Sequence, residues 1–293
     1  MKGRIKMAKI RKGDIVGRLS YGKDILFIVE RIVRTNSGKD FAILKGLTLR
    51  IEADSPLTDL EIIEPSIVEN TIRSLDNRME KCIERCICNK DKCYCVMKKE
   101  HPGSTRNNKE MIYTGKILHL DGDKKYSEKS AKYYKSFGLD AVVKNIAENK
   151  QPQVILTLLN KYHPDILIIT GHDGMIKNGT GFHDLYNYRN SKYFINTVRL
   201  ARGWAIENNK DLSIFAGACQ SYFEAIMSAG ANFASSPARV LIDFADPLII
   251  AEKIATTDSN HYLTILEVAD ELRDGTKGVG GTGSMGKKHL IIV

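Results

Sequence analysis

The chain has 293 residues, with 44 Lys and Arg against 35 Asp and Glu, giving a formal net charge of +9. Hydrophobic residues make up 43% and charged residues 27%, the balance of an ordinary folded, water-soluble protein rather than a disordered one. No apolar run nears the roughly 20 residues of a membrane span, and Met1-Lys-Gly-Arg-Ile-Lys6 lacks the apolar stretch of a secretory signal. No membrane association is therefore expected. The excess of positive charge reads as a lysine-rich solvated surface. It would attract acidic partners, but no nucleic-acid motif accompanies it and no nucleic-acid partner is expected.

Residues 1–64 carry short apolar runs separated by turn residues. Strands are expected at 15–16, 25–29, 41–44 and 47–51, with turns at Gly13, Gly22, Asn36-Ser-Gly38 and Gly46. Strands so short and frequent suggest a small barrel of SH3 or Tudor type, used for docking or simply packed on the rest.

Residues 65–111 read as a helical, cysteine-rich, basic linker. Ser66 is placed to cap a helix through Ile67, Ile72, Leu75 and Met79. Five of the six cysteines follow: Cys82, Cys86, Cys88, Cys93 and Cys95. Thiolates so close together can hold zinc, but the spacing is not the paired Cys-x2-Cys arrangement. Structural metal binding and oxidisable thiols on a linker both remain open. The run 104–109 reads as a flexible connection.

From residue 112 the pattern alternates strand and helix, so 112–293 is expected to form an α/β domain with a mostly parallel sheet. Strands are expected at 115–120, 140–144, 165–170, 212–216 and 289–293, with one more short strand within 230–237. Helices are expected at 128–137, 152–162, 191–208, 221–229, 247–255 and 264–272. The glycine-rich run 275–286 lacks the G-x4-G-K-[ST] order of a phosphate loop and reads as a flexible loop.

Two of these strands end in reactive residues. Asp165-Ile-Leu-Ile-Ile-Thr170 leads into Gly171-His172-Asp173-Gly174, and Leu212-Ser-Ile-Phe-Ala216 leads into Gly217-Ala218-Cys219. Both runs are continuous and apolar, as in strands buried on both faces. A helix between them makes the strands parallel, so both carboxyl ends reach one rim of the sheet, where ligands bind in such folds. An imidazole beside a thiol can generate the thiolate and later protonate a leaving group. A helix expected directly after Cys219 would add its positive end to that effect. The backbone N–H of Cys219, with one from Asp173 or Gly174, would form an oxyanion hole.

A His-Gly motif after one strand and an Ala-Cys motif after the next, 47 residues apart here, resembles the caspase-like cysteine peptidases, the clan of legumain, clostripain and gingipain. Asp173 stands where that group usually has a glycine. The chain more closely resembles the YabG family of sporulation-specific proteases. The motifs are Leu118-His-Leu-Asp-Gly-Asp-Lys-Lys-Tyr126, Pro164-Asp-Ile-Leu-Ile-Ile-Thr-Gly-His-Asp173, Tyr188-Arg-Asn-Ser-Lys192, Phe215-Ala-Gly-Ala-Cys-Gln-Ser-Tyr-Phe-Glu224 and Gly230-Ala-Asn-Phe-Ala-Ser-Ser-Pro-Ala-Arg239. The resemblance covers 1–64 and 112–293, and does not extend to the cysteine cluster.

The resemblance implies an endopeptidase that processes spore coat and cortex proteins after Arg or Lys, in the mother cell and the developing coat. It implies Cys219 as nucleophile and His172 as general base, with no metal or organic cofactor for the chemistry. A basic P1 residue needs a carboxylate in S1. The resemblance points to the loop after the first α/β strand, hence to Asp121 by preference and Asp123, with Asp173, Asp243 and Asp246 as competitors. Ser235 and Ser236 are expected to border the substrate groove, and basic residues in 81–110 offer sites for self-cleavage. Two other readings stay open: a Cys-dependent amidase or amidotransferase, and a non-catalytic coat assembly protein.

Overall fold

The computed structural model describes residues 10–34, 38, 40–100, 110–176 and 181–292, with the backbone alone for 82, 85–100, 110–111 and 290–292. The chain divides into two compact units, Met1–Asp76 and Asn77–Val293.

The first unit contains five strands, β1 (Ile15–Arg18), β2 (Phe27–Arg34), β3 (Asp40–Gly46), β4 (Glu52–Pro56) and β5 (Leu60–Ile62). All pair antiparallel in the order β4-β3-β2-β1-β5. Alternate residues Phe27 and Val29, and Ala42 and Leu44, are buried, the period of two that a half-buried strand requires. The strand expected at 47–51 is instead a tight turn, and the fourth strand starts at Glu52. Gly46 N–H donates to Ile51 O at 2.9 Å, and a Cβ on Gly46 would lie 2.3 Å from Leu49 O, so the chain folds back too closely there to extend. The backbone of α1 (Pro65–Glu100) carries the cysteine cluster. The five cysteine side chains, and the run 104–109, lie outside the described residues.

The second unit is built on β7 (Ile117–Asp121), β8 (Ala141–Asn145), β9 (Ile166–Thr170), β10 (Ser213–Ala216) and β11 (Phe233–Ser235), all parallel, after a short β6 (Glu110–Tyr113). Crossover helices α2 (Lys124–Phe137), α3 (Gln151–Tyr162), α4 (Ser191–Glu207) and α5 (Phe223–Ser228) connect them, and α6 (Asp246–Thr256) follows. One face of the sheet buries Leu118, Leu167, Leu120, Ile169, Ile214 and Ala216 against Ile155, Leu159, Phe194, Val198 and Trp204 of α3 and α4. Helices α2 and α6 pack on the other face. Each fully buried Leu, Ile or Phe contributes about 1.5–3 kcal/mol.

Two expectations change toward the end of the chain. Residues 264–272 form two single 3-10 turns, Ile265–Glu267 and Ala269–Glu271, because the Thr264–Glu267 capping box closes the first turn on itself. The glycine-rich run is not a flexible loop. It holds a one-turn helix α7 (Gly275–Gly278), β13 (Val279–Gly281) and β14 (Ser284–Met285), the last pairing with β12 (Tyr262–Leu263). β13 is the sixth strand of the main sheet, antiparallel to β11, in the order β13-β11-β10-β9-β7-β8. Its glycines serve close packing: a Cβ on Gly281 would meet Asn232 O at 2.3 Å, and one on Gly280 would meet the Phe223 ring at 2.8 Å. The closing strand β15 (His289–Ile292) pairs with β6 in a separate ribbon rather than extending the sheet. No described helix is long and apolar enough to cross a membrane.

Candidate active site

β9 and β10 are adjacent and parallel, with Ile169 opposite Ala216. The loops after them leave the same rim side by side. Gly217 turns the second loop with φ +113°, and a Cβ there would lie 2.4 Å from Ser235 Oγ. Its N–H donates to Ile169 O at 3.0 Å, so the two strands stay paired to the edge of the site.

Cys219 is fully buried. Its Sγ accepts from Ile242 N–H at 3.3 Å and donates to Ile242 O at 3.5 Å, and Gln220 N–H donates to Val240 O at 3.2 Å. The segment 240–242 therefore lies across the thiol. The helix expected directly after Cys219 begins only at Phe223. Gln220 adopts a left-handed φ of 55°, and Ser221 Oγ accepts from Ala218 N–H at 2.9 Å, a turn that delays the helix. The end of the helix dipole is thus not at the thiol.

His172 is nearly buried, and its ring stacks on Tyr126 with centroids 5.8 Å apart. Two carboxylates approach it. Asp123 Oδ2 lies 3.9 Å from Nε2, and Glu148 Oε1 lies 4.0 Å from Nδ1. Glu148 Oε1 also accepts the His172 backbone N–H at 2.7 Å. Glu148 did not stand out in the sequence, where it is one acid among many. The signal lay in the glycines: a Cβ on Gly122 or Gly171 would fall 2.2 or 2.3 Å from Glu148 Oε1.

Asp173 is buried, and its carboxylate gathers four donors. Oδ1 accepts from Gly174 N–H at 2.9 Å and Asn190 N–H at 2.8 Å, and Oδ2 from Ser191 Oγ at 2.5 Å and Ser221 Oγ at 2.9 Å. Burial pushes its carboxyl up, and the hydrogen bonds, led by Ser191, act against that shift. Asn190 Nδ2 donates to His172 O at 2.8 Å. The polar stretch at 188–192 thus braces the His172 loop.

Asp121 is fully buried, accepting from Asp123 N–H at 2.9 Å and Thr170 Oγ1 at 3.1 Å, with His119 Nε2 at 3.7 Å. Asp123 Oδ1 caps α2 by accepting from the N–H groups of Lys125 and Tyr126. Ser235 is buried within the sheet, opposite Val279, and Ser236 N–H donates to Gly278 O at 3.2 Å, so backbone at the expected groove already pairs with the chain itself. Asp243 pairs with the Arg78 guanidinium, and Asp246 Oδ2 accepts Asp243 N–H at 3.0 Å. Burial, with the charge of Asp243 added, pushes the Asp246 carboxyl up to about 7. Beside the Cys219 loop, Arg239 pairs with Glu224, donates from Nε to Tyr188 OH at 2.9 Å and lies within 5.8 Å of the ring centres of Phe182, Tyr188 and Tyr222. Among the described residues no three His, Cys, Asp or Glu side chains gather as a metal site.

An imidazole flanked by carboxylates, on the loop next to a sequestered thiol, is an arrangement suited to nucleophilic acyl transfer. Residues 11–292 match the family model described as YabG peptidase U57. The chain belongs to the YabG peptidase U57 family. It is 39% identical over 277 residues to the "Sporulation-specific protease YabG" of Bacillus subtilis (strain 168), a match covering 94% of each chain. No solved structure matches it. Membership of the YabG family makes the chain a protease, and the match spans both units rather than the α/β unit alone.

Proposed function

We propose that this protease is a cysteine endopeptidase of sporulation, with Cys219 as nucleophile and His172 as general base and acid. The observation that carries the reading is the pairing of Ile169 with Ala216, which brings the two reactive loops to one rim. His172 takes the thiol proton as Sγ bonds to the scissile carbonyl carbon. Collapse of the adduct breaks the C–N bond, and His172 returns the proton to the departing amine. Water, deprotonated by His172, then adds to the thioester and releases the acid and the free thiol. Gly174 N–H already serves the Asp173 carboxylate, so the oxyanion donors in this reading are the N–H groups of Cys219 and Asp173. Substrate must displace segment 240–242 to reach the sulfur.

The parallel sheet with reactive residues at two neighbouring strand ends supports a caspase-like α/β unit, and the five-stranded antiparallel sheet supports an SH3- or Tudor-like first domain. The domain division proposed is 1–64, 65–111 and 112–293. Cleavage after Arg or Lys would use Asp123 at the rim, with the buried Asp121 behind it. Ser235 and Ser236 would border the groove from behind β13. The substrates proposed are spore coat and cortex proteins, met in the mother cell and the coat, in keeping with the named relative's role in sporulation.

The test is to incubate wild type and Cys219→Ala with peptides differing only at P1 and to read the products by mass spectrometry. Cutting after Arg or Lys by wild type alone is expected. Cutting by the Cys219→Ala variant would overturn the assignment of the nucleophile.

A further inference from the structure

Glu148 stands in the turn after β8, yet its side chain reaches the loop after β9, crossing the end of β7 that lies between them. We propose that Glu148 is the positioning residue of His172: its carboxylate holds the ring from the Nδ1 side and so presents Nε2 to the reacting atoms. The inference rests on the reading of Cys219 and His172 as the reacting pair.

Four features build this contact. Glu148 Oε1 accepts the His172 backbone N–H at 2.7 Å, which fixes the carboxylate against the loop. The same oxygen lies 4.0 Å from Nδ1, an ion-pair distance rather than a hydrogen bond. The path of the side chain is kept open by Gly122 and Gly171, at either of which a Cβ would sit within 2.3 Å of Oε1. Gln151 pins the turn by donating from Nε2 to Ile146 O at 3.1 Å and to Thr170 O at 2.9 Å.

The other groups around the ring have different orientations. Asp123 faces Nε2 at 3.9 Å while its Oδ1 caps α2, and Tyr126 covers the ring face. The Asp173 carboxylate is turned to Ser191 and Ser221, and that of Asp121 to Thr170 and the Asp123 N–H. Glu148 is the carboxylate placed to favour a proton on the ring from the side away from Asp123, and a carboxylate near an imidazolium stabilises the charged form.

The decisive variant is Glu148→Gln, which keeps an acceptor for the His172 N–H and removes the charge. Cys219 alkylation by iodoacetamide is followed against pH, beside kcat/KM on a cleaved peptide. The midpoint of the alkylation profile is expected to rise by about one pH unit, with a loss of about tenfold in kcat/KM at neutral pH. Gly122→Ala, which crowds the carboxylate without altering it, is expected to move both readouts the same way, and it carries the test should Glu148→Gln fail to fold. Unchanged profiles in a reactive Cys219 background would overturn the role of Glu148 alone. Cleavage of the peptide that persists in Cys219→Ala would instead overturn the Cys219–His172 pair on which the inference stands.

Discussion

Asp173, one residue after His172, accepts a hydrogen bond at 2.9 Å from the hydroxyl of Ser221, two residues after Cys219. The two reactive loops are therefore joined through a buried carboxylate as well as through their parent strands. Ser191 Oγ donates to the same oxygen, and Asp173 Oδ1 takes two backbone N–H groups, so all four partners are donors. Asp173→Asn would turn an amide NH2 against donors. We expect it to cost about 1–3 kcal/mol of stability and to lower kcat/KM more than Ser221→Ala, which removes one of the four bonds. Thermal unfolding and peptide cleavage on both variants test the order.

Asp246 gives a pH signature. Its carboxyl ordinarily titrates near 3.8 and is pushed up to about 7 in the folded chain. Between those values the folded chain holds a proton that the unfolded chain has released. This contribution to stability is full below 3.8 and is lost as pH rises through about 7. One proton gives a slope of at most about 1.4 kcal/mol per pH unit. Asp246→Asn should flatten the fall in unfolding free energy over this window; an identical slope in the variant would remove Asp246 as its source.

Gly217 combines a positive φ of 113° with a Cβ position 2.4 Å from Ser235 Oγ. Gly217→Ala is expected to destabilise the fold by about 1–3 kcal/mol and to misplace Cys219, two residues on. The checks are chemical denaturation and the rate of thiol alkylation.

Arg239→Lys tests the cluster beside the Cys219 loop. Lysine keeps the charge, but lacks the planar fork that meets Glu224 and Tyr188 together and that lies against three aromatic rings. A loss of about 1–2 kcal/mol is expected, with faster proteolytic nicking between residues 181 and 188. Unchanged nicking would show that the loop is held by other contacts.

Much of the α/β unit was legible because β9 and β10 are continuous apolar runs buried on both faces, and such runs announce themselves without any partner. The same reasoning could not find β13. Two of the three residues of Val279-Gly-Gly281 are glycines; its strand identity comes from pairing with β11, and Asn232 O and the Phe223 ring, both distant in sequence, leave no room for a side chain at 280 and 281. The late start of α5 is hidden for a related reason: the turn at Gln220 depends on Ser221 bonding back to Ala218, which is a matter of geometry rather than propensity. Asp121 and Asp123 look equivalent in sequence, two apart on one loop. The fold buries both, but sets Asp121 against Thr170 and Asp123 beside His172. Glu148 was hidden because its target lies two strands away in the sheet.

The pairing of Ile169 with Ala216 also acts as a ruler. His172 and Cys219 each lie the same number of residues beyond that pair, so the lengths of the two strands set their relative height on the rim. Deleting one residue from either strand would draw one reactive group back by about 3.3 Å and turn the strand's apolar side chains to the opposite face. Selection for a well-packed interior therefore also preserves the alignment of the two reactive groups, and neither strand can change length without forfeiting both.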